Sequence, residues 1–175
     1  DEPPAHQLLD RAETLCPREP GNFERTVALQ RWYMETYREA DYFEEFAADW
    51  GGCACGRCGV PEYLRYVAAF SEKAREINAQ ARVYANTWCI SFWGKDPLAE
   101  GWRGAFDREI AASREVIAAL PELGDNVHLT LPCHHLYRPL AYESYGGRAH
   151  TPRFPTEADA ASVRGAGREL MAWTH

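Results

Sequence analysis

The groups best equipped for chemistry crowd into one run, Asp49-Trp50-Gly51-Gly52-Cys53-Ala54-Cys55-Gly56-Arg57-Cys58-Gly59. Three thiolates this close repel one another unless they are protonated or share a metal. Zinc in a closed structural site takes four ligands, so Cys53, Cys55 and Cys58 call for a fourth. Cys16, Cys89, Cys133 and His134 are the candidates, each near an expected strand end. The competing readings are packed free thiols or one local disulfide. The paired C-x-x-C knuckles of a zinc ribbon are absent, and Cys55 to Cys58 lacks the pattern of elements that surrounds a thioredoxin-type pair. Nothing else in the chain requires a cofactor, so a structural zinc ion is the one cofactor entertained.

Asp49 sits where a strand should end. An Asp before glycines forms turns, and it is also well placed as a catalytic or substrate-binding carboxylate. Glu45, four residues earlier, shares its side of the strand. Their separation along a strand is about 13 Å, beyond the roughly 5–9.5 Å of paired glycosidase carboxylates. The second acid is therefore sought in another loop, at Asp96 or Glu100. Asn86 and Trp88 lie two apart on an expected strand, where the amide could bond a hydroxylated ligand and the indole could stack on it. Trp50, Trp93 and His134 are further ligand contacts, since indoles suit the flat faces of ring-shaped ligands. Each of these residues also has a plain structural reading as core or as a hydrogen-bonded loop residue.

These groups must be positioned by alternating elements. Thr26 to Ala40 reads as a helix, with Leu29, Tyr33 and Tyr37 as its stripe, flanked by Val27 and Met34. Tyr42 to Ala48 reads as a strand, although Glu44-Glu45 is unusual there. Pro61 suits the first turn of a helix whose face is Tyr63, Val67, Phe70, Ala74 and Ile77. Arg82 to Ile90 is the next strand, and Ser91 to Gly104 a long loop. Phe106 to Leu120 forms a helix closed by Pro121 and Gly124, and Val127 to Leu131 a strand. The stretch from Tyr137 to Pro155 is irregular. Thr156 caps a last helix with acids in its first turn, and the apolar end from Met171 reads as helical. Shorter features are a helix around Gln7 to Glu13 and a strand stub at Leu15-Cys16-Pro17.

Alternation of this kind implies parallel strands joined by crossover helices. No G-x-G-x-x-G or P-loop motif follows a strand, and no G-x-S-x-G elbow is present, so nucleotide-binding and serine-hydrolase versions lose ground. Long loops after the strands, rich in Trp, His, Asp and Cys, suit the catalytic rim of a (β/α) barrel. A whole barrel takes roughly 200–250 residues, whereas the chain has 175. The expectation is an α/β fold: residues 1–175 as a single but partial (β/α) TIM-type barrel domain, a fragment of a longer enzyme or a unit that assembles with copies of itself.

The net charge of −7 argues against nucleic acid or an anionic membrane as partner. No apolar run approaches the roughly 18–20 residues that span a bilayer. The six cysteines are too clustered for several unstrained bridges. Reduced thiols in a soluble protein follow, with the cytoplasm favoured but no compartment fixed.

The run Asp49-x-Gly51-Gly52-Cys53-x-Cys55-x-x-Cys58 resembles a motif of α-glucuronidase-like barrel proteins, bacterial (β/α) barrels allied to glycoside hydrolases. In that motif an Asp followed by glycines and a C-x-C-x-x-C loop ends a central strand, and the next helix opens with a Tyr-Leu pair, here Tyr63-Leu64. The likeness covers residues 15–136 and is sharp only over 49–64. Trp50 stands where the motif carries a small residue. The resemblance implies a carbohydrate-active enzyme with Asp49 at the sugar site and the three cysteines shaping the loop. The resulting expectation is a glycoside-hydrolase-like domain acting on a carbohydrate or other polyhydroxylated ligand. Its rivals are a non-catalytic carbohydrate-binding or assembly domain of the same fold and a metal-dependent enzyme built on Cys and His.

Overall fold

The computed structural model describes residues 16–46, 53, 55–88, 90, 101–132 and 154–173, with the side chains of 101–106 and 173 left aside. Four helices and four strands alternate: α1 (Asn22–Thr36), β1 (Tyr42–Phe46), α2 (Val60–Ile77), β2 (Arg82–Asn86), α3 (Gly101–Ala119), β3 (Val127–Pro132), α4 (Glu157–Gly165) and β4 (Leu170–Trp173). The strands form one sheet in the order β1-β2-β3-β4. Every pairing is parallel, with Phe46 opposite Asn86, Asn86 opposite Thr130 and Thr130 opposite Met171. No helix among the described residues is long and apolar enough to cross a membrane.

The strand order decides where the core lies. Each crossover advances by one strand and never turns back, so right-handed connections bring all the helices to the same face. On that face Phe43, Val83, Ala85, Val127, Leu129 and Leu131 are buried against Met34 of α1, Tyr63, Val67 and Phe70 of α2, Val116 and Ile117 of α3, and Val163 of α4. The opposite face carries Tyr42, Glu44 and Phe46 from β1, Tyr84 and Asn86 from β2, and His128 and Thr130 from β3. Near the amino ends of the strands its polar groups satisfy one another. Arg82 holds both oxygens of Glu169 at 3.1 Å, the Tyr84 hydroxyl bonds the same carboxylate, and the Glu169 N–H donates to His128 Nδ1 at 2.9 Å.

Most elements fall close to where the sequence puts them, and the differences have physical causes. Helix α1 occupies Asn22–Thr36, behind Gly21 at φ 78°, rather than Thr26 to Ala40. Its expected stripe points outward: Leu29, Tyr33 and Tyr37 are 57%, 48% and 55% exposed. The inward stripe is Phe23, Val27, Gln30 and Met34, equally helical in spacing and anchored by Phe23 stacking on Tyr66 at 5.0 Å. Strand β2 stops at Asn86, because the Asn86 side chain accepts the Trp88 N–H at 2.9 Å and turns the chain. The expected extension to Ile90 is therefore not strand, and Trp88 does not share a strand face with Asn86. Cys16 and Pro17 lead into a turn rather than a strand stub. Helix α3 begins at Gly101, inside the expected loop. The apolar end is β4, not a helix, paired along β3. Thr156 caps α4 as expected, its Oγ1 accepting the Asp159 N–H at 3.2 Å. Gly124 is required by space: a Cβ there would lie 2.6 Å from Ser71 Oγ and 2.9 Å from Asn126 Oδ1. The helix expected near Gln7 and the irregular segment from Tyr137 to Arg153 lie outside the described residues.

Tyr63 locks α2 to the carboxyl ends of two strands. Its hydroxyl lies 2.7 Å from the Asn86 carbonyl and 3.1 Å from that of Glu45, and its ring is fully buried. Tyr63→Phe should keep the packing and lose this bond, at a cost of about 1–2 kcal/mol. The expected fall in Tm is about 3–6 °C, measured by thermal unfolding; an unchanged Tm would show that the hydroxyl does not hold the strand ends.

Candidate metal centre

Chain direction explains why the thiols meet. In a parallel sheet with antiparallel crossover helices, the amino ends of the helices lie at the carboxyl ends of the strands. Cys16 precedes α1, and Cys53, Cys55 and Cys58 precede α2. These two helices pack side by side near their amino ends through Phe23 and Tyr66, so both leading segments arrive at one place.

There the four sulfurs of Cys16, Cys53, Cys55 and Cys58 lie within 4.8 Å of one another, a group that could hold a metal ion. Cys53 and Cys55 are 3.4 Å apart, Cys55 and Cys58 3.5 Å, and Cys16 and Cys58 3.8 Å. A disulfide needs about 2.05 Å, and the four are free cysteines. A tetrahedral ion with sulfur ligands at about 2.3 Å separates those ligands by about 3.8 Å, close to what is found. Cys53 and Cys58 are buried, whereas Cys16 and Cys55 are partly exposed.

The local chain is shaped to aim these sulfurs. Gly56 at φ 71° takes the left-handed conformation between Cys55 and Cys58 and lets both point inward. The Arg57 N–H donates to Cys55 Sγ at 3.3 Å. The Gly59 N–H donates to Glu62 at 2.9 Å, fixing the start of α2. Arg18 reaches the same carboxylate at 2.6 Å, and Arg57 pairs with Glu19 at 3.2 Å. The two segments are thus tied by ion pairs on either side of the sulfurs.

The thiols do not ionise alike. Burial, foremost, raises Cys53 to about 11, and burial also pushes Cys58 up. Burial opposes the charge on Cys55 too, but there the Arg57 N–H and the neighbouring thiols prevail and lower it to about 6. A divalent ion would displace the protons that remain on these thiols.

Of the other sequence candidates, Asn86 is buried, with 1% exposure. Its Nδ2 donates to Glu44 at 3.0 Å and its Oδ1 caps the Trp88 N–H. Trp88 lies in the following turn, half-buried. Asp49, Trp50, Trp93, Asp96, Glu100 and His134 lie outside the described residues, as do Cys89 and Cys133, so the structure does not place them beside the sulfurs or apart from them. Cys16 emerges as the fourth sulfur from several equal candidates. Sequence reasoning missed Glu44 as the partner of Asn86, although its alternation with Tyr42 and Phe46 was a usable sign of a shared strand face. Comparison with models of protein families, with curated proteins and with solved structures finds no match.

Glu45 lies on the covered side of β1 beneath α1. Gln30 Nε2 donates to its carboxylate at 2.7 Å. Burial, only partly offset by that bond, raises its pKa from 4.5 to about 8. Folded Glu45 therefore keeps a proton that the unfolded chain releases at lower pH. The sign follows: stability is full below pH 4.5 and is lost as pH rises towards about 8, by up to about 5 kcal/mol. Glu45→Gln should abolish this dependence, so that denaturant midpoints at pH 5 and pH 8 converge. Equal slopes in the two proteins would show that Glu45 is not the group responsible.

Proposed function

We propose that this chain is a zinc-stapled unit of a (β/α) barrel that binds carbohydrate and cleaves a glycosidic bond. The observation that carries the staple is the convergence of four sulfurs within 4.8 Å. Four thiolates fill a tetrahedral zinc shell and leave no position for water or substrate, the mark of a structural rather than a catalytic site. A single ion fits better than a polynuclear iron–sulfur cluster, whose iron atoms would spread the thiolates further apart. The reading of the site as the working centre of a metal-dependent Cys/His enzyme loses weight for the same reason.

Barrel architecture is supported by the unbroken strand order and, among the described residues, by helices on one face. A barrel is the parallel arrangement in which successive crossovers advance in one direction and the inner strand face meets no helix. Its loops work at the carboxyl end of the strands, the end at which the thiols converge. The staple would then fix the loop that follows β1, and Asp49 in that loop is the proposed catalytic or sugar-binding carboxylate. Its partner acid is sought at Asp96 or Glu100, with Trp50, Trp93 and His134 as further contacts. A binding domain without turnover is the rival reading.

Protein purified from cells should contain about one zinc ion per chain by elemental analysis; under about a tenth of an equivalent, or iron with its coloured thiolate absorption, would reject the zinc staple. Cys16→Ser should weaken metal binding by at least about 100-fold, whereas Cys16→His, still a zinc ligand, should retain it. For activity, Asp49→Asn should abolish cleavage across a chromogenic glycoside panel. Full activity of that variant would reject the role of Asp49, and calorimetric binding without wild-type turnover would favour the binding domain.

A further inference from the structure

The exposed large apolar side chains of the described residues are not scattered. They lie on α1, at its carboxyl end, or on the two edge strands β1 and β4. The largest group is Leu29, Trp32, Tyr33 and Tyr37, with Trp32 63% exposed. The Tyr33 and Tyr37 rings stand 4.9 Å apart, and Leu29 lies one turn before Tyr33. Arg31 reaches Glu76 of α2 at 3.5 Å, so α2 runs along one flank of α1. At 3.6 residues per turn, Leu29 and Tyr33 fall on the other flank, which no helix covers among the described residues.

Area sets what this patch needs. With about 150–250 Å² for each aromatic side chain, the four residues leave on the order of 500 Å² uncovered. A monomer rarely exposes more than a few hundred Å² of contiguous apolar surface. A stable interface takes about 800 Å² from each partner, and between identical chains about 65% of it is apolar. The patch is therefore of the size that a homodimer buries.

Charge sets which partner fits. Arg25 is exposed on the amino-terminal side of the patch, and Glu39 and Asp41 are exposed on its carboxyl-terminal side. Arg25, Glu39 and Asp41 belong to no ion pair among the described residues. Glu24 lies about 100° round the helix from Arg25, off the patch, and Arg38 Nε donates to the Glu35 carbonyl at 3.5 Å. A basic end and an acidic end thus flank an apolar centre at Tyr33. A surface of that kind complements itself when turned about a two-fold axis, as an isologous contact requires.

We infer that the chain forms a two-fold homodimer in which α1 packs antiparallel on α1 of a second copy. Tyr33 meets Tyr33 at the axis, Leu29 packs on Tyr37 of the other copy, and Arg25 faces its Glu39 and Asp41. Parallel packing would set Arg25 against Arg25 and acid against acid. The inference is independent of the metal and carbohydrate readings, because the thiols and the β4 edge lie outside the contact.

Sedimentation equilibrium of the whole chain as purified should give twice the 19.9 kDa of one chain at about 10–100 μM, the range of a modest interface. Leu29→Glu should weaken the dimer at least about 100-fold, as a charge buried against Tyr37 would, with an unchanged far-UV spectrum. Arg25→Glu should weaken it at least about 10-fold, and Arg25→Glu combined with Asp41→Arg should restore it to within about 3-fold. A wild-type monomer at 100 μM would overturn the inference and leave the patch to a different partner. A dimer indifferent to Leu29→Glu and Arg25→Glu would overturn it too, by showing that the copies meet elsewhere. Failure of the reversed pair to restore association would overturn the antiparallel arrangement.

Discussion

The constraint on which this architecture depends is the direction of its crossovers. Every connection between strands advances to the next neighbour, and right-handed crossovers, the rule for parallel strands, then keep the helices on one face. One face of the sheet becomes the core, with Phe43, Val83, Ala85, Leu129 and Leu131 beneath the helices. The other receives the residues that alternate with them: Glu44, Tyr84, Asn86, His128 and Thr130. The same constraint gathers the helix amino ends at one end of the sheet. That is why Cys16, on the segment before α1, meets Cys58, on the segment before α2, across a separation of 42 residues. The sulfur cluster is a consequence of topology before it is a feature of any loop.

The sequence made the alternation of elements readable because helices of fifteen to nineteen residues repeat their apolar spacing over several turns. Helix α2 shows this best, since its expected face of Tyr63, Val67, Phe70 and Ala74 is the buried one. Helix α1 shows where spacing fails. It carries two stripes of suitable period, and only contact with α2 decides that Phe23 and Met34 turn inward while Leu29 and Tyr33 do not. Strand β4 was illegible for a related reason. Leu170, Met171 and Ala172 are good helix formers, and their extended state comes from the free edge of β3, a tertiary effect that no local pattern records. For the site, three sulfurs were plain from their spacing. The fourth was one of several equal candidates, because the pairing of two distant segments is set by helix packing. Glu44 was read only as an oddity within a strand, because its exposure comes from the edge position of β1, whereas β3, inside the sheet, is buried on both faces, as is usual for parallel strands.

The ion pairs around the sulfurs bear on what the cluster can hold. Four thiolates around a divalent cation leave an excess of negative charge. Arg18, two residues from Cys16, and Arg57, beside Cys58, both bring positive charge to that neighbourhood. Neither guanidinium is idle, because Arg18 bonds Glu62 and Arg57 bonds Glu19. The exposed Arg57–Glu19 pair contributes little stability by itself, while Glu62 of the other pair is buried. Their importance is geometric. Glu62 bonds Arg18 from one segment and the Gly59 N–H at the head of α2, so the helix start, the sulfur loop and the segment bearing Cys16 share one anchor. An ion at the centre would then find its ligands held in place before it arrived, and less of its binding energy would be spent on ordering the chain. A closed ring of sulfurs, a left-handed glycine between two of them and a shared carboxylate anchor suit holding a shape.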